Sequence, residues 1–186
     1  MIDKETGIWS LIEMMKRRPY DVLLAAAIAT YYKTPITAAD LGCGNGQYCR
    51  ILKTYGWPLV HGYEGVSQII NLGIYNQVFQ TDLSKPLHEV TSYEFVLCLE
   101  VGEHIPKKHE QVFIENVCKF CKKHLVISWA IPGQGGTGHF NERPNSYIVD
   151  EFVKRGFKFN TKLTDELRKH TSVKWFRNTV MVFYRT

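Results

Sequence analysis

The run Phe95-Val96-Leu97-Cys98-Leu99 is apolar at every position. A strand with one wet face alternates apolar and polar residues, so an unbroken apolar strand is one covered on both faces, as in a parallel sheet with helices above and below. Parallel strands need helical crossovers, and the surrounding sequence supplies them. Apolar runs over 36–41, 59–64, 78–81, 95–99 and 125–130 read as strands. Stretches 46–55, 67–72 and 107–122 read as helices; in the last, Phe113, Val117, Phe120 and Cys121 recur at helical spacing.

Toward the C-terminus, 147–155 reads as a helix stopped by Gly156. Phe157, Phe159 and Leu163 alternate with polar residues, which predicts a strand. A short polar helix over 165–170 then leads to a final strand over 179–184, the end of the chain forming a hairpin-like pair. The first 35 residues predict two helices, over 6–17 and 20–32, broken at Pro19. They are expected to cap a domain of residues 36–186, in one compact unit. The expectation is an α/β fold with seven strands in one doubly wound sheet.

A chain of 186 residues suits one domain. With 45% hydrophobic and 22% charged residues, it is neither disordered nor collagen-like. The apolar stretch 22–32 is too short to span a bilayer and lacks a signal-peptide layout, so a soluble, cytoplasmic protein is expected. Five cysteines without framework spacing read as reduced thiols. Cys118-x-x-Cys121 has no second pair, and packing as buried thiols is expected rather than a metal site. The net charge of +5 is carried by residues 150–186, with nine basic and four acidic side chains. That segment is either a solvated face or a surface for an anionic partner such as RNA.

The segment Asp40-Leu41-Gly42-Cys43-Gly44-Asn45-Gly46 lies between the first predicted strand and the first helix after it. Alternate glycines allow a sharp turn and leave amide N–H groups facing a ligand at a helix N-terminus. A dinucleotide fingerprint would need glycine at position 47, where glutamine stands. Glu64 closes the second strand, placed to accept both hydroxyls of a ribose. Asp82 follows the third strand, where a carboxylate can accept from an exocyclic amine.

These motifs resemble those of the class I S-adenosylmethionine-dependent methyltransferases over residues 36–130. Asp40-x-Gly42-x-Gly44-x-Gly46 is similar to their first motif, which cradles the methionine part of the cofactor. Glu64 matches their ribose-binding acid and Thr81-Asp82-Leu83 their adenine-contacting turn. Glu100-Val101-Gly102-Glu103-His104-Ile105-Pro106 resembles the E-V-x-E-H-x segment of the type 11-like branch. The resemblance implies a sheet order 3-2-1-4-5-7-6 with strand 7 antiparallel. It also implies S-adenosylmethionine as cofactor, held by Asp40, Gly42, Gly44, Asn45, Gly46, Glu64, Gly65, Thr81, Asp82, Leu83, Leu99, Glu100, Val101 and His104.

The acceptor is not specified by these motifs. Leu99-Glu100-Val101-Gly102 stands where nucleobase amine and cytosine C5 methyltransferases carry Pro-containing motifs. Glu100 and His104, four apart, would share a face if a helix starts there. His104 is expected in the cofactor wall, with a role as base the lesser alternative. The glycine-rich segment 132–145 follows the fifth strand and reads as a mobile lid carrying His139 as general base; an inert loop is the alternative. Trp129 and Tyr147 flank it and could stack on a flat acceptor, or pack in the core. No metal-ligand cluster is evident. The expected activity is methyl transfer to an oxygen or nitrogen of a small molecule or an anionic acceptor such as RNA. A non-catalytic methyltransferase-like subunit working through a partner is the second reading, and a dehydrogenase the third.

Overall fold

In the computed structural model, residues 1–16, 20–33, 36–72 and 75–186 are described. Seven strands make one sheet: β1 (Thr37–Leu41), β2 (Leu59–Glu64), β3 (Val78–Gln80), β4 (Tyr93–Cys98), β5 (Cys121–Ile127), β6 (Lys158–Phe159) and β7 (Met181–Tyr184). Their order is β3-β2-β1-β4-β5-β7-β6, and β7 runs antiparallel to both neighbours while the other pairings are parallel. The expected order and the hairpin-like pairing of the last two strands are both present.

Alternate residues of β4 leave the sheet on opposite sides. Phe95 and Leu97 enter one apolar cluster, with residues of α2 (Val22–Tyr31), α3 (Gln47–Thr54) and α6 (Thr161–Lys169). Val96 and Cys98 enter the other, with α4 (Glu110–Phe120) and α5 (Asn145–Lys154). All four side chains are buried. This two-sided covering is why the segment carries no polar alternation.

Five predicted elements differ from the structure. The first helix is confined to α1 (Leu11–Met15). Residues 2–9 instead form a tight turn with an Ile2–Trp9 bridge, because the Asp3 side chain caps the Glu5 amide and Gly7 turns with φ +79°. The predicted end of that helix and the Pro19 break lie outside the described residues, as does residue 35, the expected end of the cap. The long helix predicted over 107–122 begins as a single 3₁₀ turn and ends at Phe120; Cys121 already pairs with Tyr93 in the sheet. Strand β5 accordingly starts earlier than expected and stops at Ile127. Leu163 is helical, not extended: Asn160 accepts a hydrogen bond from its amide at 3.0 Å and starts α6 there. A further short helix, α7 (Phe176–Thr179), precedes β7, so the last strand starts at Met181 and not at 179.

All five cysteines are free; Cys118 is half-buried and the other four are buried. Burial pushes the Cys118 and Cys121 thiols up to about 11 and about 12. Among the described residues no helix is long and apolar enough to cross a membrane.

Candidate functional site

At the carboxyl edge of the parallel strands lies a cavity of about 700 Å³, where open α/β sheets bind ligands. The loop after β1 forms its floor. The Gly42 and Cys43 amides both donate to the Tyr63 carbonyl at the end of β2, which ties the loop to the neighbouring strand. Gly44 has φ +54° and open space where a Cβ would stand, so its backbone borders the cavity directly. Its amide donates to Glu64 Oε2 at 2.9 Å, and Val66 donates to Glu64 Oε1 at 3.1 Å. Burial pushes the Glu64 carboxyl up, opposed by these backbone hydrogen bonds.

Of the residues expected at a cofactor site, Asp40, Gly42, Gly44, Asn45, Glu64, Gly65, Thr81, Asp82, Leu83, Leu99, Glu100, Val101 and His104 line this cavity, and so does His139. Gly46 does not. It adopts a left-handed conformation at the N-cap of α3, and a Cβ there would meet the Tyr75 Cβ at 2.7 Å. Its glycine serves the turn and the packing of Tyr75 rather than the cavity. Asp82 is already engaged: Oδ1 accepts from the Ser84 amide and hydroxyl, and Oδ2 pairs with Lys85 at 3.1 Å. Asp40 is fully sequestered, and burial lifts its carboxyl to about 7.

Glu100 and His104 do not share a helical face. Glu100 has φ +56°, the one left-handed non-glycine among the described residues. Such strain persists only where the surroundings enforce it. Buried Ser128 does so, accepting from the Glu100 amide at 2.8 Å and donating to Glu100 Oε1 at 2.7 Å. A single 3₁₀ turn, Gly102–His104, follows and swings His104 toward the loop after β5. There His104 Nδ1 meets the Gly138 carbonyl at 3.0 Å, and its ring lies edge-on to Trp9 and to His139, at 5.0 and 5.2 Å.

The segment over 132–145 lacks helix and strand up to α5 but is held at many points. The Phe140 and Asn141 amides donate to the Glu103 carbonyl. Glu110 accepts two hydrogen bonds from Arg143, one from Asn141 and one from Tyr147. Burial would raise the Glu110 carboxyl, but these donors hold it below its usual value. In the first half of the loop, Glu142 accepts from the Gly133 and Gly135 amides at 2.8 and 2.7 Å and from His139 Nδ1 at 3.1 Å. Despite some desolvation, these bonds keep Glu142 below the ordinary carboxyl value and therefore ionised. Trp129 is fully buried, its indole N–H bonded to the Asn141 carbonyl at 2.6 Å, and Tyr147 is engaged by Glu110 and Arg143. Neither lines the cavity; both anchor the loop instead of offering a stacking face.

Sequence reasoning missed three contributions. The N-terminal turn seats against the site, with Gly7 over the His104 carbonyl and Ile8 against Gly65. Trp175 and Phe176 enter the wall at the start of α7. They are positioned by buried Asp21, which caps α2 at Leu24 and accepts from the Ser172 and Val173 amides at 2.7 and 2.8 Å. Glu103, Glu142 and the two histidines also come together; the pairing of His139 with a glutamate three residues on was the only local signal. Of the C-terminal cations, Arg168 and Arg185 donate to the Val180 and Cys121 carbonyls, and Arg155 pairs with Glu151, so part of the basic excess is used within the fold.

A family described as a methyltransferase domain matches residues 13–134. None of the curated proteins matches in sequence. Among solved structures, the magnesium protoporphyrin IX methyltransferase of Synechocystis PCC 6803 with bound SAH is similar, with TM-score 0.66 and 19% identity, over 88% of this chain and 80% of that one. The methyltransferase domain of bacterial CtHen1 has TM-score 0.62 and 18% identity, over 88% of this chain and 97% of that one. The 1,6-didemethyltoxoflavin-N1-methyltransferase of Burkholderia thailandensis has TM-score 0.62 and 12% identity, over 89% and 78% of the two chains. These likenesses concern the fold.

Proposed function

The chain belongs to the methyltransferase-domain family, and from that premise we propose that it transfers a methyl group from S-adenosylmethionine to an oxygen or nitrogen of a small acceptor. The observation that carries this reading is the pairing of Gly44 with Glu64. A glycine amide bordering open space is fixed by a buried carboxylate that itself lines the cavity and can accept more than these bonds. That arrangement suits a nucleoside with an attached charged chain: Glu64 accepts from the ribose hydroxyls, the Gly42–Asn45 loop supports the methionine part, and Asp82 lies toward the base.

When bound, S-adenosylmethionine supplies a sulfonium methyl open to in-line displacement. The protein's part is then to orient the acceptor, exclude water and manage its proton. The N-terminal turn and the loop after β5 close the cavity from two sides, which favours a small acceptor over a nucleic acid lying across the surface. His139, oriented by Glu142, and His104 are the groups assigned to the acceptor's proton. With Nδ1 donating to Glu142, His139 keeps a lone pair on Nε2.

The test is incubation with isotopically labelled S-adenosylmethionine and fractionated cell extract, read by mass spectrometry. A fraction carrying one enzyme-dependent labelled methyl group supports the proposal. Cofactor binding with no labelled product in any fraction favours the non-catalytic subunit.

A further inference from the structure

Four carboxyl groups line the cavity. Asp40 is sequestered, Glu64 holds the Gly44 and Val66 amides, and Asp82 is engaged by Ser84 and Lys85. Glu100 differs from these three. Its backbone is held at φ +56°, strain of the kind found at ligand sites. Ser128 donates to Oε1 at 2.7 Å, and among the described residues no hydrogen bond of normal geometry reaches Oε2. No lysine or arginine among those residues pairs with it. The one lysine that lines the cavity, Lys16, pairs with Glu13 at 2.6 Å.

Glu103, the neighbour of Glu100, is fully buried, and burial together with the Glu100 charge pushes the Glu103 carboxyl well up. Burial lifts Glu100 too, but Ser128 and the Trp175 indole act against it. The pair therefore holds one negative charge, on the member that lines the cavity. A carboxylate withdrawn from water is costly unless a cation meets it, and the surroundings suit one. Tyr48, Trp175 and Phe176 line the same cavity, the last two with ring centroids 6.1 Å apart. The Tyr48 hydroxyl is fixed by the Asp21 amide at 2.9 Å. Aromatic faces attract an organic ammonium and offer an anion no such gain.

We propose that the acceptor end of the cavity takes an organic amine, its protonated amino group held by the Glu100 carboxylate and its apolar body by Tyr48, Trp175 and Phe176. Glu100 anchors this group and takes no proton from it. A protonated amine has no lone pair, so the methyl group goes to another oxygen or nitrogen of the same molecule. That site lies toward the loop after β5, to which the 3₁₀ turn Gly102–His104 carries His104 beside His139. The lone pair of that atom forms the new bond to carbon as the C–S bond breaks, and its proton passes to an imidazole. The methylation of the amine rests on the function proposed above; its binding does not.

The test has a binding arm and a turnover arm, both on the full chain. In the first, protein saturated with S-adenosylhomocysteine is titrated by calorimetry with 2-phenylethylamine, 2-phenylethanol and 3-phenylpropionate. The amine should bind more tightly than the alcohol or the acid, and Glu100→Gln should weaken it about 10–100-fold, the loss of one charge-assisted hydrogen bond. Affinity for S-adenosylhomocysteine should be nearly unchanged. A melting curve reports whether Glu100→Gln folds; if it does not, Trp175→Leu, which removes an aromatic face, carries the test with the same expected direction. In the second arm, passing the cell extract through a cation exchanger should remove the molecule that takes the labelled methyl group, and an anion exchanger should leave it. No amine binding at millimolar concentration, equal binding of the alcohol or the acid, or a parallel loss of S-adenosylhomocysteine affinity in Glu100→Gln overturns the proposal. Amine binding with no labelled product in any fraction would leave this subsite standing and remove the proposed function. A labelled product whose acceptor survives cation exchange would do the opposite.

Discussion

Glu64 Oε2 accepts a hydrogen bond from the Gly44 amide at 2.9 Å, across twenty residues and two strands of the sheet. One carboxylate therefore both shapes the glycine loop and faces the cavity. Glu64→Ala should weaken binding of S-adenosylhomocysteine by about 1.5–3 kcal/mol, the range for charge-assisted hydrogen bonds. Asp82→Ala should cost less, since Ser84 and Lys85 already occupy both Asp82 oxygens. Calorimetric titration of the two variants decides this; equal, negligible losses would mean that the nucleoside lies elsewhere.

His139 differs from these residues because its partners lie in the loop after β5. His139→Ala should lower kcat by about 10²–10⁴-fold with cofactor affinity nearly unchanged, since its proton traffic concerns the acceptor. Glu142→Gln should lower kcat less, by loosening the ring rather than deleting it. Gly136→Ala should resemble His139→Ala, because a Cβ at Gly136 would intrude on the imidazole. Full turnover in all three variants would make the loop inert.

How much of this arrangement was legible depended on whether its signal was local. The apolar run 95–99, the glycines of 42–46 and the acids at 64 and 82 announce themselves within a few residues, since sheet burial, turn geometry and strand ends each leave a short pattern. The period-two spacing of Phe157, Phe159 and Leu163 misled because Asn160 caps a helix within it. Trp175 and Phe176 reach the cavity wall through Asp21, about 150 residues away, and no local pattern encodes that link. Glu103 was read only as part of a motif, because its isolation from hydrogen-bond partners is a property of packing.

Asp40 predicts a pH dependence of stability. Its folded-state pKa of about 7 lies above the ordinary 3.8, with burial as the main cause. Between those values the folded chain keeps a proton that the unfolded chain has lost, so stability falls as pH rises toward 7 and is lowest above it. Asp40→Asn lacks this titration. In cofactor-free protein, the stability of the variant relative to the parent should therefore rise by roughly 2–3 kcal/mol between pH 5 and pH 8. Urea denaturation at the two pH values measures it, and parallel pH profiles would contradict the assignment.

The proposed site, the loop after β1 with Glu64, is one for S-adenosylmethionine and not for a dinucleotide. Calorimetry of the cofactor-free chain with S-adenosylhomocysteine, with NAD, and with the Gly44→Val variant tests it most directly. The expected result is one site for S-adenosylhomocysteine, no comparable heat with NAD, and loss of binding in Gly44→Val, where a branched side chain enters open cavity space from a backbone at φ +54°. Tighter binding of NAD, or undiminished S-adenosylhomocysteine binding by Gly44→Val, would contradict it.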